Sequence, residues 1–188
     1  MKNNLDNMRC LDIYLPSLSV TDLNIKNPNA VSSRKKMVPL MSWDIFSLNY
    51  FKTIENFKIE NDINSVKAFA KKGKWKNEID AIFDNQDFEA LIITDADQNI
   101  LWVNDGFTTM TGYSKKYALN KKPHFLQGKN TSVTSRKNIR TKLSQLEPFT
   151  EIITNYRKDN SPYECEVKII PMYNESVTHF LAIERKVV

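Results

Sequence analysis

The chain predicts an α+β fold: a five-stranded antiparallel sheet with short helices on one face, preceded by an N-terminal helical extension. Three observations predict it. Short apolar runs at 91–94 and 100–103 flank a turn, and apolar and polar residues alternate over 149–156, 163–172 and 178–187, which is the period-two signature of strands. A block of helical pattern at 105–145 separates the first two strands from the last three. Bulky apolar residues three and four apart fill 42–83.

The elements follow in order. Residues 1–41 are rich in Asn and Ser and carry Pro16, Pro28 and Pro39, which predicts an extended or partly ordered arm. Residues 42–87 predict a helical extension. Trp43, Phe46, Tyr50, Ile54 and Phe57 build one apolar stripe. Asp62 is placed to cap a second helix whose face is Ile63, Val66 and Phe69 and which Gly73 closes. Trp75, Ile79, Ile82 and Phe83 predict a third, short helix. Such helices must bury their aromatic faces on the sheet, on one another or across a dimer. Residues 88–188 predict the main domain. Its first two strands form a hairpin about Asp97, Gln98 and Asn99. Asn104–Ser114 reads as a strand end, a short helical turn, a break at Gly112, and a helix capped by Ser114. Turns at Lys158–Ser161 and Tyr173–Ser176 separate the last three strands.

Composition narrows the function classes. With 188 residues, the chain holds one domain and an extension, or two small domains at most. No apolar run approaches the roughly 20 residues that span a bilayer, and Met1–Arg9 lacks the apolar core of a signal peptide. Cys10 and Cys165 make no disulfide framework, so free thiols and a cytoplasmic location are expected. The formal charge is +5, with no acidic residue between Asp105 and Glu147. That window holds Lys115, Lys116, Lys121, Lys122, Lys129, Arg136, Lys137, Arg140 and Lys142. Its local field favours an anionic ligand or partner surface; the plain alternative is a solvated lysine face. There is no nucleophile–base–orienter set, no pair of opposed carboxylates and no glycine-rich phosphate loop. His124 and His179 have no carboxylate or cysteine at metal-ligand spacing.

Ile92–Asp95 (IITD), Asn104–Tyr113 (NDGFTTMTGY), Phe125–Gly128 (FLQG) and Asn155–Asn160 (NYRKDN) carry a family likeness in their order and spacing. Residues 88–188 resemble a PAS domain, and within that family they look most like the flavin-binding LOV group. The resemblance implies a cavity for FMN, or less directly FAD, between sheet and helical wall. Thr94, Leu126, Gln127, Arg140 and Asn155 match residues that line the flavin pocket in that group, Arg140 at the place of a phosphate-binding arginine. Thr94, Leu126 and Asn155 can equally be fold residues, and Gln127 and Asn155 can bond backbone and brace the cleft. The chain departs from the pattern at the place of the photoactive cysteine, which is Pro123, so the resemblance implies that no flavin–thiol adduct forms. Val133, Lys122 and His124 replace other polar contacts. Cys165 stands where an asparagine reads the pyrimidine edge, and Glu184 stands where a glutamine relays the light signal. An ionised carboxylate offers only acceptors and would face flavin carbonyls badly.

The function that follows is a noncatalytic sensor or protein-interaction module in signal transduction, with its ligand unknown. It would work as a homodimer through the N-terminal helices and the sheet face and act on a signalling partner. A flavin photoreceptor without a cysteine adduct is the alternative. No membrane partner is implied, and nucleic acid is disfavoured because no reader motif accompanies the modest positive charge. No kinase, cyclase or helix-turn-helix pattern is read in the chain.

Overall fold

The computed structural model describes residues 43–84 and 86–187. The expected arm at 1–41, with Cys10, lies outside the described residues. The chain divides into two compact units, 1–55 and 56–188, and the first is represented here only by the start of a helix.

The elements are α1 (Trp43–Gly73), α2 (Ile79–Phe83), β1 (Ala90–Asp95), β2 (Ile100–Val103), α3 (Asp105–Thr111), α4 (Lys115–Ala118), a 3₁₀ turn (Pro123–Leu126), α5 (Val133–Gln145), β3 (Phe149–Tyr156), β4 (Pro162–Tyr173) and β5 (Val177–Lys186). The sheet order is β2-β1-β5-β4-β3, and every neighbouring pair is antiparallel. The expected five-stranded antiparallel sheet is therefore present.

One expectation about the extension is corrected. The sequence predicts a break at Asp62, but α1 runs through it as a single helix of 31 residues. The physical reason is that 43–72 contain no Gly or Pro, so an internal Asp costs only its modest propensity. The Asp62 carboxylate faces sideways instead: Asn104 Nδ2 donates to Asp62 Oδ2 at 2.8 Å. Of the expected first stripe, Tyr50 and Phe57 are exposed and Ile54 is half-buried, while Val66 further along is buried.

Alternation along the strands gives the sheet two faces, and both are buried. The outer side chains of Leu91, Ile93, Ile170, Met172, Leu181 and Ile183 cluster with Val66, Trp75 and Ile79. Residues of α1 and α2 thus cover the outer face, and the face expected to meet a partner is occupied by the chain's own side chains. The inner face, including Ala90, Ile92, Ile153, Tyr163, Cys165 and Val167, packs on Phe107, Met110, Ala118 and Leu126 from the helical wall. Covering on both faces explains why residues 90–94 are all buried.

Asn104 fixes the corner between these layers. Its Oδ1 accepts from Leu91 N at 3.0 Å and from Phe107 N at 2.9 Å, so one side chain caps α3 and pairs β1. Gly106, two residues on, lies where a Cβ would run into the Glu89 carbonyl oxygen. Gly112 then ends α3 in the left-handed region at φ 74°, and Ser114 Oγ accepts from Tyr117 N at 3.3 Å to start α4, as the sequence predicts.

Candidate functional site

Between the inner face and the helical wall lies a partly open cavity of about 130 Å³. Its sheet side comes from alternate positions of three strands: Ile92 and Thr94 on β1, Val167 and Ile169 on β4, and Phe180, Ala182 and Glu184 on β5. Pro123, His124 and Gln127 from the 3₁₀ turn and its exit, with Ile139 and Leu143 from α5, form the opposite wall. α5 supplies those two at i, i+4, which is one helical face. Its end is held by Lys142, whose Nζ lies 2.8 Å from Glu151 Oε2 on β3.

The structure brings together part of the predicted site. Thr94, Gln127 and Glu184 line the cavity, as do the substituted positions Pro123 and His124. Leu126, Asn155 and Cys165 are buried beside it in the inner layer and do not line it. Gln127 and Asn155 pair through their backbones in an isolated antiparallel bridge. Arg140 is exposed on α5, on a different face from Ile139 and Leu143. Lys122 is also exposed, and Val133 is 76% exposed. The sequence reading did not single out Ile92, Ile139, Leu143, Phe180 or Ala182 as cavity residues. The available signal was alternation: on β5, Phe180, Ala182 and Glu184 share one face by spacing alone.

Electrostatics single out Glu184. It is 3% exposed, and its Oε2 has no hydrogen-bond partner. Burial pushes its carboxyl up from 4.5 to about 7. Among the described residues no cationic side chain forms an ion pair with it. Cys165 lies next to it on β4; burial raises the thiol's pKa and the Glu184 charge adds to that. Tyr163 is raised in the same way, by burial first and by Glu184 second. The Arg157 guanidinium lies over the Tyr163 ring, 4.6 Å from its centroid, with its Nε donating to the Met110 carbonyl at 3.1 Å. Among the described residues no group of three or more His, Cys, Asp or Glu is placed to hold a metal ion. None of the described helices is long and apolar enough to cross a membrane.

A sheet of order 2-1-5-4-3 cupped over a small cavity by short helices defines a sensor-type α+β module. The family model for the PAS domain matches residues 89–185, and the chain belongs to the PAS domain family. It is 36% identical over 101 residues to the blue-light photoreceptor of Listeria monocytogenes serovar 1/2a, covering 52% of this chain and 40% of that protein. It is 31% identical over 100 residues to the nitrogen fixation regulatory protein of Klebsiella oxytoca, covering 52% of this chain and 20% of that one. Among solved structures, a light-oxygen-voltage domain studied with a flavin analogue aligns with a TM-score of 0.53 and 28% identity, covering 58% of this chain and 84% of the other. The likeness to the LOV group read from the motifs is therefore supported. The chain spans less than half the length of the curated relatives described here.

Proposed function

We propose that this chain is a noncatalytic PAS sensor in which the state of the inner cleft is transmitted to the helices on the opposite face of the sheet, and from there to a dimer or partner surface. One observation carries the reading: the cleft and the helical cover share the same strands, residue by residue. On β5, Ala182 and Glu184 face the cleft while Leu181 and Ile183 face Val66, Trp75 and Ile79. A change in the cleft needs to cross only one strand's thickness to reach the cover. Close-packed layers pass on such displacements rather than absorb them.

This arrangement modifies the expected dimer. With the outer face covered, a dimer would form through the helical extension, where Tyr50, Phe51, Phe57 and Ile59 are exposed. The flavin alternative fits the cleft poorly. Drug-sized and cofactor ligands occupy roughly 300–1,000 Å³, against about 130 Å³ here. Arg140 is not among the lining residues, and a carboxyl whose Oε2 has no partner stands on the wall.

Hydrogen exchange tests the proposal. Ala182→Phe fills the cleft from β5, and exchange in residues 66–83 is expected to change along with it. Unaltered exchange there, in a variant that remains folded, removes the coupling on which the reading depends. Light scattering of the full chain at tens of micromolar measures the dimer separately.

A further inference from the structure

We infer that the cleft takes a compact organic cation, a benzene-sized apolar body bearing an ammonium or amidinium group, with the Glu184 carboxylate as its anchor. The inference deepens the sensor reading by naming the ligand class, and it rests on that reading only for the consequence of binding.

Size, lining and charge each point to this class. A cavity of about 150 Å³ accommodates one benzene-sized ring, and this one is about 130 Å³. Its walls are apolar at Ile92, Ile139, Leu143, Val167, Ile169 and Ala182, so the body of the ligand is apolar. At one end stands Glu184, 3% exposed, on the cavity wall and with Oε2 unpartnered. A buried carboxylate oxygen left without a donor is costly even with the Cys165 thiol beside the group, and a cation with N–H donors removes that cost while a neutral body of the same shape does not. Among the described residues no cationic side chain pairs with Glu184. The titratable groups around Glu184 are Cys165 and Tyr163 on β4, Glu89 at the entry to β1, and His124 on the opposite wall. Arg185, its neighbour in sequence, is exposed and bonded to Glu166 Oε1 at 3.1 Å. Thr94 and Gln127 add polar groups near the cleft for orientation.

An anchor of this kind links binding to protonation. An ammonium ligand keeps its proton near neutrality, so it binds the ionised form of Glu184 and displaces a proton where the carboxyl is protonated. The ionised fraction of a carboxyl titrating near 7 rises from about a tenth at about pH 6 to about nine-tenths at about pH 8. Affinity for the cation is expected to rise about tenfold over the same interval.

The test is calorimetry on the full chain with benzylamine and its uncharged counterpart benzyl alcohol, at about pH 6 and about pH 8. Benzylamine is expected to saturate the protein and to bind about tenfold tighter at the higher pH, while benzyl alcohol binds more weakly and without pH dependence. Glu184→Gln is expected to weaken benzylamine by about tenfold or more and to leave the alcohol unchanged. Ala182→Phe is expected to abolish binding of both. The inference is overturned if the alcohol binds as well as the amine at about pH 8, or if affinity for the amine falls as pH rises. It is equally overturned if Ala182→Phe leaves binding intact, or if nothing saturates up to about 10 mM amine. The wild-type comparison of amine with alcohol decides the matter even if a variant fails to fold. Binding without any change in exchange at 66–83 would refute the sensor coupling and leave the ligand class standing. The converse result would do the opposite.

Discussion

Replacing Glu184 by glutamine should change how the stability of this protein depends on pH, and the size of the change follows from the geometry. The carboxyl is fully enclosed, and its proton is held up to about 7 rather than 4.5. The folded chain therefore binds this proton more tightly than the unfolded chain. Stability is lost as pH rises from 4.5 through about 7, and is unaffected by this group below that window. At 1.36 kcal/mol per pH unit, the interval amounts to about 3 kcal/mol. Glutamine keeps the shape and removes the titration. Its amide adds an unsatisfied donor, which costs a further amount that does not vary with pH. Thermal melts followed by circular dichroism between about pH 4 and pH 8 separate the two effects. The wild-type and Glu184→Gln melting temperatures should differ by a fixed offset at the acid end. From about pH 4.5 upward the variant should gain on the wild type, by about 6–12 °C at about pH 8 for a chain of this size. Parallel curves would refute the reasoning, because they would mean that the carboxylate has found a partner or water when ionised. Saturating benzylamine should shrink the gap at about pH 8 by restoring the missing charge to the wild type alone.

Further outcomes can be measured in the same protein. Asn104→Ala leaves the amides of Leu91 and Phe107 without an acceptor, and urea unfolding should show a loss of about 2–4 kcal/mol. Gly106→Ala drives a methyl into the Glu89 carbonyl; backbone cannot retreat as a side chain can, so the same assay should show a loss of about 3 kcal/mol or failure to fold. Trp75 Nε1 donates to His179 Nδ1 at 3.2 Å, and burial holds that imidazole below its usual 6.5. A folded pKa held below the unfolded value means the contact stabilises at higher pH and weakens as pH falls below 6.5. Fluorescence of Trp75, isolated by Trp43→Phe and Trp102→Phe, should shift to the red over that range. The thiol of Cys165 is enclosed and its pKa is raised by burial and by the Glu184 charge. Iodoacetamide at about pH 8 should leave it unmodified in the folded chain and label it in urea, as read by peptide mass mapping.

Much of the sheet was legible because strand periodicity is local. The alternation at 163–172 and 178–187 needs no knowledge of what lies above or below it, and β4 and β5 fall where it predicts. Helix boundaries were less legible for the opposite reason. Asp62 has the chemistry of a cap, and only the position of Asn104, forty-two residues away, shows that its carboxylate is used sideways. The cover on the outer face was left open as one of three outcomes, since an amphipathic helix advertises an apolar face without naming what buries it.

Glu184 shows the difference most sharply. From the sequence, its significance came only through resemblance: a carboxylate stands where the LOV group has a glutamine, and it suits flavin carbonyls badly. That reading treats the residue as a defect in someone else's site. The geometry gives it a meaning of its own, because three independent placements coincide there. Strand pairing puts Glu184 on the inner face, opposite Ala90 on one side and Val167 on the other. The helical wall leaves a cleft of about 130 Å³ against it. Among the described residues no lysine or arginine pairs with it: Arg157 lies over Tyr163, Lys142 on Glu151 and Arg185 on Glu166. None of these facts is local in sequence. Together they turn a substitution into a buried carboxyl with one unpartnered oxygen at a defined position, and such a group either neutralises itself by taking up a proton or recruits a cation from outside. The measured pH dependence of stability, with and without a small amine, tells which of the two this protein uses.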